Sequence, residues 1–202
     1  MRTDKAGATG DKYAHGWQSI FHSDSLLLRA GSALRQDSSV VETTGGLTSQ
    51  TLALEAQTLT LASLTQAEAI EIGNIAQEFG LARKHPIAVQ VRMKEWIVFH
   101  ASLPGSTPEN DWWINRKANV VNRTGRSTLH ERVLAEEQGI DWLVANGLEE
   151  EQYAIFGGGL ALNVVGLGLT GILLVSGPEQ VADHMLGVEI ITEYLARKGE
   201  QQ

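Results

Sequence analysis

At 202 residues, 43% hydrophobic and 20% charged, the chain has the size and composition of one ordinary globular domain with room for a tail. It has no cysteine, which excludes disulfides, thiolate metal sites and cysteine nucleophiles and suits a reducing, cytoplasmic setting. A net charge of −8 without a basic stripe argues against nucleic acid and against anionic membrane surfaces as partners.

The first 50 residues carry five basic and five acidic side chains, so the whole net charge falls on residues 51–202. That front quarter is rich in Gly, Ser, Thr and Asp and reads as a disordered or poorly ordered extension, with a short helix near 17–34. A targeting peptide is the competing reading. Asp4 and Asp11 interrupt its basic start, and no apolar run precedes a small-residue cleavage site. The domain is expected over 51–198, with 199–202 as a tail.

"TLALEAQTLTLAS" alternates enough to be read as a first strand. "LTQAEAIEIGNIAQEF" then starts a helix with the capping box Thr65 and Glu68, and Ile72, Ile75, Ala76 and Phe79 recur at helical spacing. "PIAVQVRMKEWIVFHAS" gives two alternating runs around a turn at Met93–Lys94. The second has apolar residues on both faces, which predicts a central strand. Thr107, Pro108, Glu109 and Asp111 mark the next helix start, and helix resumes after Gly125 through "STLHERVLAEEQ". The acidic "GLEEEQY" follows as a solvated surface segment.

The most apolar stretch, "FGGGLALNVVGLGLTGILLVSG", is too short and too punctuated for a membrane span of ~20 residues. It lacks the G-x-x-x-x-G-K-[ST] of a phosphate loop, and its glycines are not followed by a helix start. A hairpin fits: Leu160–Val165, a turn at Gly166–Gly168, and a return over Thr170–Ser176. Pro178 then opens a last helix with Val181, His184, Met185, Val188, Ile191 and Leu195 on one face. Two hairpins and their covering helices predict a single α/β (α+β) domain around an antiparallel sheet of about five strands.

"FHASLPGSTPENDWWINRKANVV", "GGGLALNV", "VGLGLTGILLVSG" and the "DH" of the final helix together resemble one branch of a superfamily, with yeast and bacterial members. That superfamily holds the GlcG proteins, the C-terminal domain of PduO-type adenosyltransferases and the haem-binding HbpS, and is known as the heme-degrading domain. The likeness runs from about Leu64 to Leu195 in the same order of elements. It implies a profilin-like sheet, assembly into homo-oligomers (dimers or rings), and binding of haem or a related tetrapyrrole. Relatives have proline and isoleucine after the glycines, where this chain has "LALN".

His100, on a strand beside Trp96 and Val98, could offer haem iron a neutral imidazole, or be a core or interface histidine. His184, next to Asp183, could do the same with its ring oriented by that acid, or simply pack with a hydrogen bond across to the sheet. Arg116 and Arg123 lie seven residues apart on one helix and, with Lys117, could clamp haem propionates or an organic acid. Ion pairs within the protein are the alternative. Ser127 and His130 complete this expected ligand wall. Scattered histidines without H-x-H or H-E-x-x-H give no structural metal site, and no G-x-S-x-G elbow exists. Trp112 and Trp113 read as core and subunit contact. The expected function is therefore an oligomeric small-anion binder, haem first in line and haem degradation its conceivable chemistry. A non-catalytic scaffold, or an enzyme acting on a small organic acid with His100 or His184 as general base, are the alternatives.

Overall fold

The computed structural model describes residues 44–199. The expected short helix at 17–34 and the targeting alternative lie outside these residues. Helix α1 spans Ser49–Thr58, α2 Gln66–Arg83, α3 Pro108–Thr124, α4 Thr128–Gln138, α5 Trp142–Asn146 and α6 Gln180–Gly199. Strands β1 (Ala88–Met93), β2 (Trp96–Ser102), β3 (Gly159–Val164) and β4 (Gly168–Ser176) form one antiparallel sheet in the order β2-β1-β4-β3. The two hairpins β1–β2 and β3–β4 therefore sit side by side, joined by β1 against β4.

The two central strands are covered on both faces. Val89, Val91, Leu173 and Val175 pack with Ile72, Ile75 and Ala76 of α2 and Ile190 and Ile191 of α6. Ala88, Ile172 and Leu174 face the other way, onto Ile114, Ala118 and Val121 of α3. This two-sided burial is why "ILLV" reads as an unbroken apolar run. The hairpin turn falls at Val165–Leu167, one residue earlier than the expected Gly166–Gly168. No helix among the described residues is long and apolar enough to cross a membrane.

Thr65 and Glu68 form their capping box, Glu68 accepting the Thr65 N–H at 2.7 Å. At α3 the expected roles are reversed: the Thr107 side chain makes no cap bond, and Asn110 Oδ1 accepts the Thr107 N–H at 2.8 Å. Pro108 occupies the first turn as expected.

Three expectations are corrected. Residues 51–63 are not a strand. Thr48 and Thr51 box the start of α1, and Leu, Ala, Glu and Gln are all strong helix formers. Leu61 pairs with the sheet only as one parallel bridge to Val164, so among the described residues there are four strands and not five. Strand β2 is an edge, not central: Trp96 is 57% and Ile97 45% exposed, because among the described residues β1 is its only neighbour. The short α5, unforeseen, is seated by Trp142 against Val120 and Ala135.

With Thr48 as its cap and Ser49 as its first residue, α1 begins upstream of residue 51. Ser49 donates to Glu137 Oε1 at 2.8 Å through its N–H and to Oε2 through its hydroxyl. Truncation through Gln50 is expected to lower stability relative to truncation through Thr43 by about 1–2 kcal/mol for the lost cap and bonds, read as a lower melting midpoint. Equal midpoints for the two truncations would show that this anchoring contributes nothing.

Candidate functional site

A cleft of about 190 Å³ opens between α1, the α3–α4 turn, β3 and α6. Leu52 and Leu59 from the α1 side and Leu160 and Ala161 from β3 give it apolar walls. Arg126, Ser127 and His130 line one side, and Glu55 and His184 face it as well. Each polar residue is placed by its element. Gly125 ends α3 in the left-handed region, which turns the chain so that Ser127 caps α4 by accepting the His130 N–H at 3.2 Å. His130 thus starts α4 on the cleft side.

The electrostatics differ between the two histidines. Burial, with Arg126 adding to it, pushes His130 below the ordinary histidine value, so it faces the cleft as a neutral imidazole at pH 7. His184 is 1% exposed, and its Nε2 lies 2.8 Å from Glu55 Oε1. Its Nδ1 is buried with no partner. The Arg126 side chain is half exposed and reaches Glu131 Oε1 at 3.3 Å.

Asp183 does not orient His184. Its carboxylate turns the other way, onto Lys117 Nζ at 3.0 Å, with both side chains buried. Lys117 also donates to the Val175 carbonyl at 2.9 Å, and the Gly177 N–H donates to Asp183 Oδ2 at 2.9 Å. Burial lowers the Lys117 pKa and raises that of Asp183, each opposing the attraction between them. This buried pair ties α3, β4 and α6 together beside the cleft and leaves Lys117 no open approach for a ligand.

The other expected residues are elsewhere. Arg116 is 2% exposed, its guanidinium 4.1 Å from the Trp112 ring centroid and 4.5 Å from that of Trp113. It donates to the Tyr153 carbonyl at 3.3 Å, and Nε and Nη1 are buried without partners. Arg123 is exposed, so Arg116 and Arg123 do not make a paired clamp. Trp112 and Trp113, edge-on to each other, both contact this cation, and Trp112 remains 47% exposed. His100 lies on the edge strand, its Nε2 3.1 Å from Ser102 Oγ and 3.1 Å from Asp111 Oδ1, the latter without hydrogen-bond alignment. These partners are polar, so the ring does not face the apolar wall expected of it.

Of the seven expected residues the structure brings Ser127, His130 and His184 into one cleft. Sequence reading missed Glu55, assigned to a strand, and Arg126, which adjoins Ser127 in "GRSTLH" and was within reach of the same argument.

An α+β fold with this strand order and a cleft at the α1–α6 side defines the class, and the comparisons give the family. The model of the family described as Haem degrading protein HbpS-like matches residues 64–192, well over half of the chain. The chain belongs to this family. It is 40% identical over 138 residues to a UPF0303 protein of Streptomyces avermitilis, covering 68% of this chain and 85% of that one. A UPF0303 protein of Streptomyces coelicolor is 34% identical over 131 residues, covering 65% and 83%. Among solved structures the fold is similar to the Ybr137w protein, with TM-score 0.70 and 19% identity over 80% of this chain and 96% of that one. It is also similar to PduOC in a complex with heme, with TM-score 0.55 and 19% identity over 64% and 94%.

Proposed function

We propose that this protein binds a small carboxylate ligand in the cleft between α1, α4, β3 and α6. The observation that carries the reading is the convergence of Arg126, Ser127, His130 and His184 on one partly apolar cavity. A guanidinium at the rim can take a carboxylate in bidentate fashion, while a neutral imidazole and a hydroxyl supply directional partners. The apolar walls suit a short hydrocarbon body. Assembly into a homo-oligomer in the cytoplasm belongs to the same reading, with the unpaired, Trp96- and Ile97-bearing edge of β2 as the surface that supports it.

Haem is the second reading, and the family match favours it. Two imidazoles and a guanidinium on one cleft are the chemistry that iron and a propionate need. The volume is not. At about 190 Å³ the cavity is below even the ~300–1,000 Å³ of ordinary small-molecule pockets, and a tetrapyrrole macrocycle needs the upper part of that range. His184 Nε2, moreover, is held by Glu55. With α1 in place the residues present do not fit intact haem.

Calorimetric titration with short-chain mono- and dicarboxylates tests the proposal. A saturable one-to-one isotherm is expected for some member, weakened about 10- to 100-fold by Arg126→Ala, which removes a charged hydrogen-bond partner. His130→Ala should weaken it less, as a neutral partner does. Haemin at micromolar concentration is expected to give no stoichiometric Soret shift. Binding unaffected by either substitution, or a Soret shift abolished by His130→Ala, would overturn the small-acid reading.

A further inference from the structure

The contact that closes the cleft from the α1 side is Glu55 Oε1 on His184 Nε2, at 2.8 Å. Among the described residues it is the ring's one polar partner, since Nδ1 is buried and has none. The imidazole side chain is 1% exposed and the Glu55 side chain 18%. The ring is thus a fixed part of the floor, and the acid reaches it from the rim.

Glu55 is carried by an element with a thin seat. Of the ten residues of α1 only Leu52 is buried, against Leu129 and Val133 of α4. The start of α1 is held by Ser49 on Glu137, and its end is followed by the fixed point at Leu61, bridged to Val164. Elements with few buried apolar contacts open at low free energy while the rest of the fold stays closed. α1 also lies before residue 64, where the family match begins, whereas His184 lies inside it.

We propose that the Nε2 edge of His184 is a carboxylate subsite of the cleft, filled from within the chain by Glu55 and taken over by the ligand's own carboxylate. The proposal rests on the cleft being the ligand site and specifies how one end of the ligand is held. A buried ring N–H left without an acceptor is costly, so whatever replaces Glu55 must accept a hydrogen bond and be compact. A carboxylate meets both demands and an ammonium or apolar group meets neither. Because Glu55 is tethered, its effective concentration at the ring is high, and a free carboxylate competes poorly until the tether is removed or the ligand gains from the remaining cleft contacts.

The test uses the full chain, acetate as the probe, and the His184 ring resonances in NMR spectra. In Glu55→Ala, acetate is expected to shift His184 saturably, with an affinity at least about tenfold above that of the wild type. Glu55→Gln keeps the volume and an acceptor oxygen, and should respond like the wild type. Equal responses in all three proteins, or none in Glu55→Ala, would overturn the subsite. The wild type provides a version free of any folding effect: acetate that displaces Glu55 should speed amide exchange across residues 49–58. Exchange unchanged at concentrations that do move the His184 resonance would equally overturn it. The two readings fail separately. A cleft ligand sensitive to Arg126→Ala that leaves His184 unmoved sinks the subsite alone, and acetate at His184 in Glu55→Ala with no saturable binding of any short-chain acid to the wild type sinks the function alone.

Discussion

Replacing Lys117 with Met, or Asp183 with Asn, is expected to lower stability by about 3–5 kcal/mol, a fall in melting midpoint on the order of 10 °C. The two side chains are 3% and 5% exposed, so each substitution strands a partner that water cannot reach. The signs of the pH dependence differ. In Lys117→Met the remaining carboxyl, already raised by burial, loses the cation that held it down. A folded-state pKa above the unfolded one is a burden at pH above the unfolded value, relieved as pH falls through the folded value. The deficit should therefore be smaller at about pH 5 than at about pH 8. In Asp183→Asn the remaining ammonium is depressed by burial, and the deficit should shrink as pH rises toward the unfolded lysine value. The double replacement Lys117→Met with Asp183→Leu should recover most of the loss, since an apolar pair of similar volume leaves no charge behind. Chemical denaturation at two pH values reads all of this. Additive losses in the double variant would show that the pair is not the unit of stability described here.

The second large effect is expected at Gly158, where φ is +107° and a Cβ would lie 2.2 Å from the Val175 carbonyl oxygen and 2.9 Å from Lys117 Nζ. Gly158→Ala combines a strained backbone with a clash against the strand edge that Lys117 itself binds. The cost should be at least about 3 kcal/mol. Gly166, in the β3–β4 turn, is the control: φ is +74° and nothing lies within 4 Å of its added Cβ. Gly166→Ala should cost only about 1–2 kcal/mol, the conformational part alone. Equal midpoints for the two variants would mean that the loop before β3 yields without disturbing the Lys117 site. At Gly158 the absence of a side chain is thus explained by packing: the residue lies against a strand carbonyl and the buried ammonium bonded to it.

Much of this architecture is legible in the sequence because the signals are local. The capping box at Thr65–Glu68, the alternation of Ile87, Val89 and Val91, and the glycine-bounded hairpin from Leu160 to Ser176 each need only neighbouring residues to be read. α1 is not legible in the same way. Leu52 and Leu54, and again Leu59 and Leu61, fall two residues apart in pairs that imitate a strand, while only Leu52 is buried within the helix. The edge position of β2 escapes as well, since Trp96, Ile97, Val98 and Phe99 look like a two-sided core until the strand order is known. The site is harder still. Lys117 meets Asp183 across 66 residues and Glu55 meets His184 across 129, so neither pairing has a sequence signature. Residue type singles out Ser127, His130 and His184; only the fold can put them in one cavity and send Arg116 against two tryptophans instead.

The claim on which the functional account depends is that the α1-walled cleft receives a small carboxylate. Mapping backbone amide shifts over the full chain during titration with short-chain organic acids tests it most directly. The account predicts that the shifts concentrate on Arg126–His130, Ala161–Asn163 and the helix turn around His184. Shifts centred instead on His100 and the β2 edge, or no saturable shift with any acid of that class, would contradict it.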